Sequence, residues 1–247
     1  MERTDVAVQA VVLAARTILE SGGETYRAEE TVMRMCNAFG MPDAEILAFP
    51  TGFTLAVRKP DGGTETRVMR IQHRRINLGM INDVNTVSRN AVAGMLTAEE
   101  ALAAITDLRA HPMPPAPRQI ALFALAAGAF SVMFGGGIKE CLMCCLVGAV
   151  MQACMPLYAI ARLPLLLVSL ASGVLAAGLS GLLLSLFGGG QAAVISGAIM
   201  PLLPGLSMTN AVRDTMRGDL LSGMARATEA LLSAVMLAAG VAVVLML

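Results

Sequence analysis

Between Cys141 and Val212 the chain carries one charged residue, Arg162. Inside that run, Cys141 to Ala161 is uncharged over 21 residues and Leu163 to Val212 over 50. About 20 apolar residues cross a hydrocarbon core of about 30 Å as one helix. A run this long predicts a domain that crosses a membrane several times.

Composition agrees. Of the 247 residues, 56% are hydrophobic and 15% are charged, with a mean hydropathy of +0.68. Soluble domains carry about 25% charged residues. Disorder is excluded, since it needs low hydrophobicity and high net charge. A formal net charge of +0 argues against a nucleic-acid partner, which calls for a basic face.

The charges divide unevenly. Residues 1–118 hold 13 Lys/Arg and 14 Asp/Glu, whereas residues 119–247 hold 5 and 4. The chain therefore reads as a small α+β cytoplasmic domain over 1–111, a Pro-rich linker over 112–118, and a transmembrane domain over 119–247. The fold class is an α-helical polytopic membrane protein. Residues 1–24 contain six charges and no uninterrupted apolar core, so they do not read as a signal peptide.

In the amino-terminal part, Val8, Val11, Val12, Ala15, Ile18 and Leu19 recur at helical spacing. Gly22-Gly23 ends that helix. Ala28, Val32, Cys36 and Phe39 mark a second. Glu45 to Phe49, Phe53 to Arg58 and Thr64 to Ile71 read as strands, the last two joined by the turn Lys59-Pro60-Asp61-Gly62-Gly63. A third helix is expected from about Leu78 to Ala93. A fourth starts at the capping box Thr97…Glu100.

Five spans are expected: Gln119 to Ile138, Cys141 to Ala161, two within Leu163 to Val212 separated at Gly188-Gly189-Gly190, and Asp219 to Leu247. With the amino-terminal domain in the cytoplasm, Arg118, Arg162, Arg213 and Arg217 lie inside, and Lys139 beside Glu140 lies outside. That distribution follows the positive-inside bias. Gly223, Ala227, Ala230 and Ala234 form a stripe of small residues suited to close helix packing.

Pro201, Pro204 and Gly205 break the fourth span. Each proline removes an amide donor and frees carbonyls. Irregular backbone at membrane depth needs protein around it or a wet cavity. The break is thus either a kink satisfied by neighbouring helices or part of a site to which Ser207, Thr209 and Asn210 add polar groups. Arg213, Asp214, Arg226 and Glu229 follow. Glu229 is 19 residues from the carboxyl end, about 28 Å of helix, which sets it at the inner edge of the hydrocarbon core or inside it. Arg226, three residues earlier, is placed to pair with it. Cys141, Cys144, Cys145 and Cys154 read as small packing residues rather than a metal site, because no His joins them in this half. In the soluble part, Glu24, Thr25, Tyr26, Arg27, Glu29 and Glu30 form a polar helix start. A solvated start with acids at the positive dipole end is the first reading, and a docking surface the second.

Gly23 through Thr31, then Pro50-Thr51-Gly52, then Pro201 through Asp214 and Gly218-Asp219-Leu220-Leu221-Ser222-Gly223 closely resemble the threonine/serine exporter family in order and spacing. The resemblance implies export of small amino acids or, as in some relatives, of dicarboxylates such as succinate. It implies location in the cell inner (plasma) membrane, and it makes this chain the larger subunit of a split exporter completed by a small integral-membrane subunit. A second five-span module would enter with opposite topology, giving an inverted pair. A higher oligomer stays open.

On this reading Arg213, or backbone amides at the break, hold a substrate carboxylate. Asp214 or Glu229 carries a coupling proton. No phosphate loop, cofactor motif, metal cluster or catalytic spacing is present, so the chain does not read as an enzyme. The alternative is a membrane-anchored interaction or sensor protein that acts through its soluble domain.

Overall fold

The computed structural model describes residues 3–58, 62–111 and 114–246. Lys59 to Asp61 of the expected turn, Pro112 and Met113 of the linker, and Leu247 lie outside the described residues. The chain divides into two compact units. The first is Met1–Pro112 with Leu206–Ala227, and the second is Met113–Gly205 with Thr228–Leu247. Residues 206–227, grouped by sequence with the membrane half, thus cluster with the amino-terminal elements. They carry the polar and charged groups that find partners there.

In the first unit, α1 (Arg3–Glu20) and α2 (Thr25–Ala38) precede three strands, β1 (Ala44–Phe49), β2 (Gly52–Arg58) and β3 (Thr64–Arg70). The sheet is antiparallel in the order β1-β2-β3. Pro50-Thr51 is the two-residue link that pairs Phe49 with Gly52. α3 (Leu78–Val92) and α4 (Ala98–Ala110) follow. The expected box caps α4: the Thr97 hydroxyl accepts from the Glu100 amide at 3.2 Å, and the Glu100 carboxylate accepts from the Thr97 amide at 2.8 Å. Phe53, Leu55 and Val57 alternate inward from β2 onto Ile18, Leu19, Val32, Met35, Val84 and Ile105. Full burial of such side chains contributes about 1.5–3 kcal/mol each.

The first unit also takes in nearly all of α9 (Gly205–Met216) and the start of α10 (Leu220–Leu245). The second unit holds α5 (Ala116–Met133), α6 (Ile138–Ile160), α7 (Leu165–Phe187), α8 (Gln191–Ile199), a 3-10 turn at Met200–Leu202, and the rest of α10. α5 begins inside the segment read as linker, because proline is tolerated in a helix's first turn. Among the described residues, four helices are long and apolar enough to cross a membrane: α5, α6, α7 and α10. The pair Gln191–Leu202 and Gly205–Met216 adds a fifth span if its two pieces count as one.

The second unit is built inside out relative to the first. Its interior is Ala127, Cys144, Val147, Ala176, Val194 and Ala198, while Leu142, Leu146, Leu182 and Leu186 stay exposed. Exposed leucine over small buried residues is the pattern of helices packed in lipid. The closest helix approach in this unit lies outside the stripe read from the sequence. A Cβ on Gly173 of α7 would collide with the Leu237 carbonyl, and one on Gly240 of α10 with the Leu170 carbonyl. Gly240→Leu should therefore lower stability by about 1–3 kcal/mol. Thermal unfolding of the purified protein in detergent checks this, and an unchanged midpoint contradicts the backbone contact.

Candidate functional site

The site starts at the link between α1 and α2. Gly22 sits at φ +78°, which favours glycine. At Gly23 a Cβ would run into the Ile18 side chain and carbonyl. The two glycines therefore turn the chain tightly and present their carbonyl oxygens beside the first turn of α2. Glu24 takes the position before that helix but gives it no side-chain cap.

A second turn faces this one. Gly218, at φ +92°, joins α9 to α10. Gly223 lets α10 approach α9 so closely that a Cβ there would meet Thr215 and the Ala211 carbonyl. That approach brings Arg226 to Asp214, with Arg226 Nε 3.0 Å from Asp214 Oδ2.

The two turns lock together within the first unit. Asp214 accepts from the Thr25 amide at 3.3 Å and from the Thr25 hydroxyl at 2.9 Å, and so supplies the anion that Glu24 withholds from the start of α2. Arg226 Nη2 donates to the Gly23 carbonyl at 2.6 Å, and Asn210 Nδ2 to the Gly22 carbonyl at 3.0 Å. Asp214 is 0% exposed and Arg226 5%. Buried charges persist only when paired and hydrogen-bonded. Here the carboxylate meets the positive start of α2 and the guanidinium meets carbonyls at the negative end of α1.

Around this pair the contacts become wetter. Arg213 Nη1 donates to Glu24 Oε1 at 2.8 Å, with 53% of the Arg213 side chain exposed. Arg27 Nε donates to Glu24 Oε2 at 2.8 Å. The Arg217 guanidinium lies 5.1 Å from the centre of the Tyr26 ring, a cation–π distance. Glu29 accepts from the Ala48 amide at 2.8 Å and ties α2 to β1, while Glu30 pairs with Arg34. Burial works to raise the Glu24 carboxyl, but its own backbone amide, Arg27 and Arg213 outweigh it and hold it below the ordinary value. Glu29 moves the other way. Burial raises it against the Ala48 hydrogen bond, with the Asp219 and Asp214 charges adding to the rise.

A cavity of about 320 Å³ opens at the exposed edge of the lock, lined by Gly22, Gly23, Glu24, Arg27, Asn210 and Arg213 together with Leu206 and, from α3, Leu78, Ile81, Asn82 and Asn85. Asn210 Oδ1 is buried without a hydrogen-bond partner. Of the residues singled out in the sequence, Asn210, Arg213, Glu24 and Arg27 share this wall. Ser207, Thr209, Asp214 and Arg226 are not part of it. Pro201, Pro204, Gly205 and Glu229 fall in the second unit. Arg226, set beside Glu229 by sequence spacing, holds Asp214 and the Gly23 carbonyl. The α3 wall and the glycine carbonyls escaped the sequence reading. Only Asn82 and Asn85, two amides three residues apart on one helix, gave a trace of it.

The wall therefore pairs a cation, Arg213, with an anion, Glu24, which suits a small zwitterion or anion. Because the folded Glu24 carboxyl is held low, its stabilisation is complete above the unfolded carboxylate value of about 4.3 and is lost as pH falls through the folded value. Glu24→Gln should flatten the fall of the melting midpoint on acidification below about pH 4.3. Parallel curves for the two proteins would show that Glu24 is not held low.

The sequence profile of the ThrE family, described as "Putative threonine/serine exporter", matches residues 9–247. No curated protein and no solved structure matches the chain. The match covers both units, and the chain belongs to the threonine/serine exporter family.

Proposed function

We propose that the chain is the larger subunit of a secondary exporter of small carboxylate-bearing metabolites in the inner membrane, and that the cavity beside Glu24 and Arg213 is where substrate is taken up from the cytoplasm. One observation carries this reading: a half-exposed Arg213, the Glu24 carboxylate and Asn210 line one cavity. An α-amino acid such as threonine or serine matches the two charges. Its carboxylate replaces Glu24 on Arg213, and its ammonium is received by Glu24, with Asn210 beside them on the wall. Arg27 keeps Glu24 in place during the exchange. The volume equals roughly ten waters at about 30 Å³ each, ample for such a molecule. A dicarboxylate is the second reading, favoured by Arg27 as a second guanidinium on the same wall. Glu229, half-buried on α10, is assigned the coupling proton, since charge within a span faces a partner or a wet path.

Chain direction supports five crossings. If α5, α6 and α7 each cross, the chain after Phe187 lies on the far side. The hydrogen bond from Asn210 to Gly22 requires it back beside the amino-terminal elements. Residues 188–209 then make the return, and α10 crosses last. A cytoplasm-active reporter fused to the carboxyl end should be silent, and strong activity there rules out an odd number of crossings.

Efflux of threonine, serine and succinate from cells that express the chain with and without a small five-span partner tests the function. Full efflux without the partner contradicts the split exporter, and none in either case favours the sensor alternative. Asn210→Ala and Arg213→Ala should cut apparent affinity about ten- to a hundredfold at normal abundance, the effect of losing a charge-assisted hydrogen bond. Arg213→Lys keeps the charge but not the fork and should recover part of the activity. Normal efflux from Arg213→Ala rejects the clamp.

A further inference from the structure

A second cavity of about 320 Å³ opens in the first unit, on the other side of Arg27. Its wall carries Arg27, Arg34, Arg89 and Arg217, against the single carboxylate of Glu30. The geometry points to a binding site here for a small dianion, a molecule with two carboxylates or a phosphate, next to the cavity proposed for transport, with which it shares Arg27 and Asn85.

The charge is local. Residues 1–118 are balanced at 13 basic and 14 acidic groups, so four guanidiniums around one concavity are not a share of a general basic face. A concavity also disfavours a membrane or nucleic acid, which needs an extended basic surface. Each guanidinium offers five donors in a planar fork that fits carboxylate or phosphate oxygens. Their partners leave donors for a ligand: Arg34 is paired with Glu30 but is 62% exposed, and Arg89 Nη2 donates to the Thr86 hydroxyl at 3.0 Å. Arg217 lies over Tyr26, which positions its charge without a carboxylate. The buried Thr31 and Ser88 supply hydroxyls to the same wall. With Arg27 on Glu24 and Arg34 on Glu30, two guanidinium charges remain, which a dianion balances and a monoanion does not.

The test is equilibrium titration of the purified full chain with succinate and, separately, inorganic phosphate at constant ionic strength. Saturable binding of at least one is expected, and which one binds identifies the oxyanion. Arg34→Gln combined with Arg89→Gln should weaken that binding by about a hundredfold, roughly tenfold per guanidinium. Arg213→Ala, on the other cavity, should leave it unchanged. The unmodified chain gives a second readout: the bound dianion should slow phenylglyoxal modification of Arg34 and Arg89. No saturable binding, binding lost in Arg213→Ala instead of the double variant, or modification indifferent to the dianion overturns the site. None of these results depends on efflux, so the transport reading stands or falls separately.

Discussion

The first unit depends on one buried ion pair. Asp214 and Arg226 lie almost wholly out of water, between the end of α1 and the start of α2. Taking two charges out of water costs several kcal/mol per ion, and the direct attraction alone seldom offsets it. The helix ends make up the difference. Thr25 gives Asp214 an amide and a hydroxyl at the positive end of α2, and Gly23 gives Arg226 a carbonyl at the negative end of α1. Removing one partner from such a pair leaves a bare buried charge and costs about 3–5 kcal/mol. The pair is thus all or nothing, and so is the docking of α9 and α10 on the amino-terminal helices.

The order of the chain gives that dependence a direction. The contacts from Thr25 to Asp214 and from Gly23 to Arg226 close loops of 189 and 203 residues. Every apolar helix from α5 to α8 lies inside those loops. The amino-terminal elements are made first, but the carboxylate that completes α2 arrives only after four apolar helices have been placed. The first unit is therefore completed by residues that follow the apolar helices in the chain. Its Gly22-Gly23 turn, with two carbonyls presented, is an unfinished acceptor until then.

Local features were legible because local physics makes them. Helical spacing in α1 and α2, the alternation in β2 and the Thr97–Glu100 box all appear in the structure where the sequence sets them. So did the Pro201–Pro204 break, though not its consequence. Between Leu163 and Val212 the absence of charge hid the change from Leu-rich α7 to the polar face of Ser207, Thr209 and Asn210. The bend that sets α9 off from Gln191–Leu202, the two together making one broken span at most, was therefore not legible as a change of helix. The partners of Asn210 and Arg226 are backbone carbonyls some 190 to 200 positions away. A carbonyl has no letter in the sequence, so no spacing rule reaches it. The family was legible because its motifs include both sides of the lock, even though neither side reveals the other.

Asp214 and Arg213 are neighbours on α9, yet one is sealed and the other half open. Successive residues of a helix point about 100° apart, so one face of α9 docks and the next faces the cavity. Asn210 stands between the roles, with its amide nitrogen bound to Gly22 and its oxygen left over. In the exchange proposed above, this division leaves Asp214 holding the helix while a ligand trades places with Glu24 at Arg213. The exchange is also cheap. Glu24 keeps Arg27 when it loses Arg213, and Arg213 is solvated enough to wait without a partner. A site that used Asp214 directly would have to break the buried pair at every turnover. The exchange proposed for the cavity beside it leaves that buried pair intact.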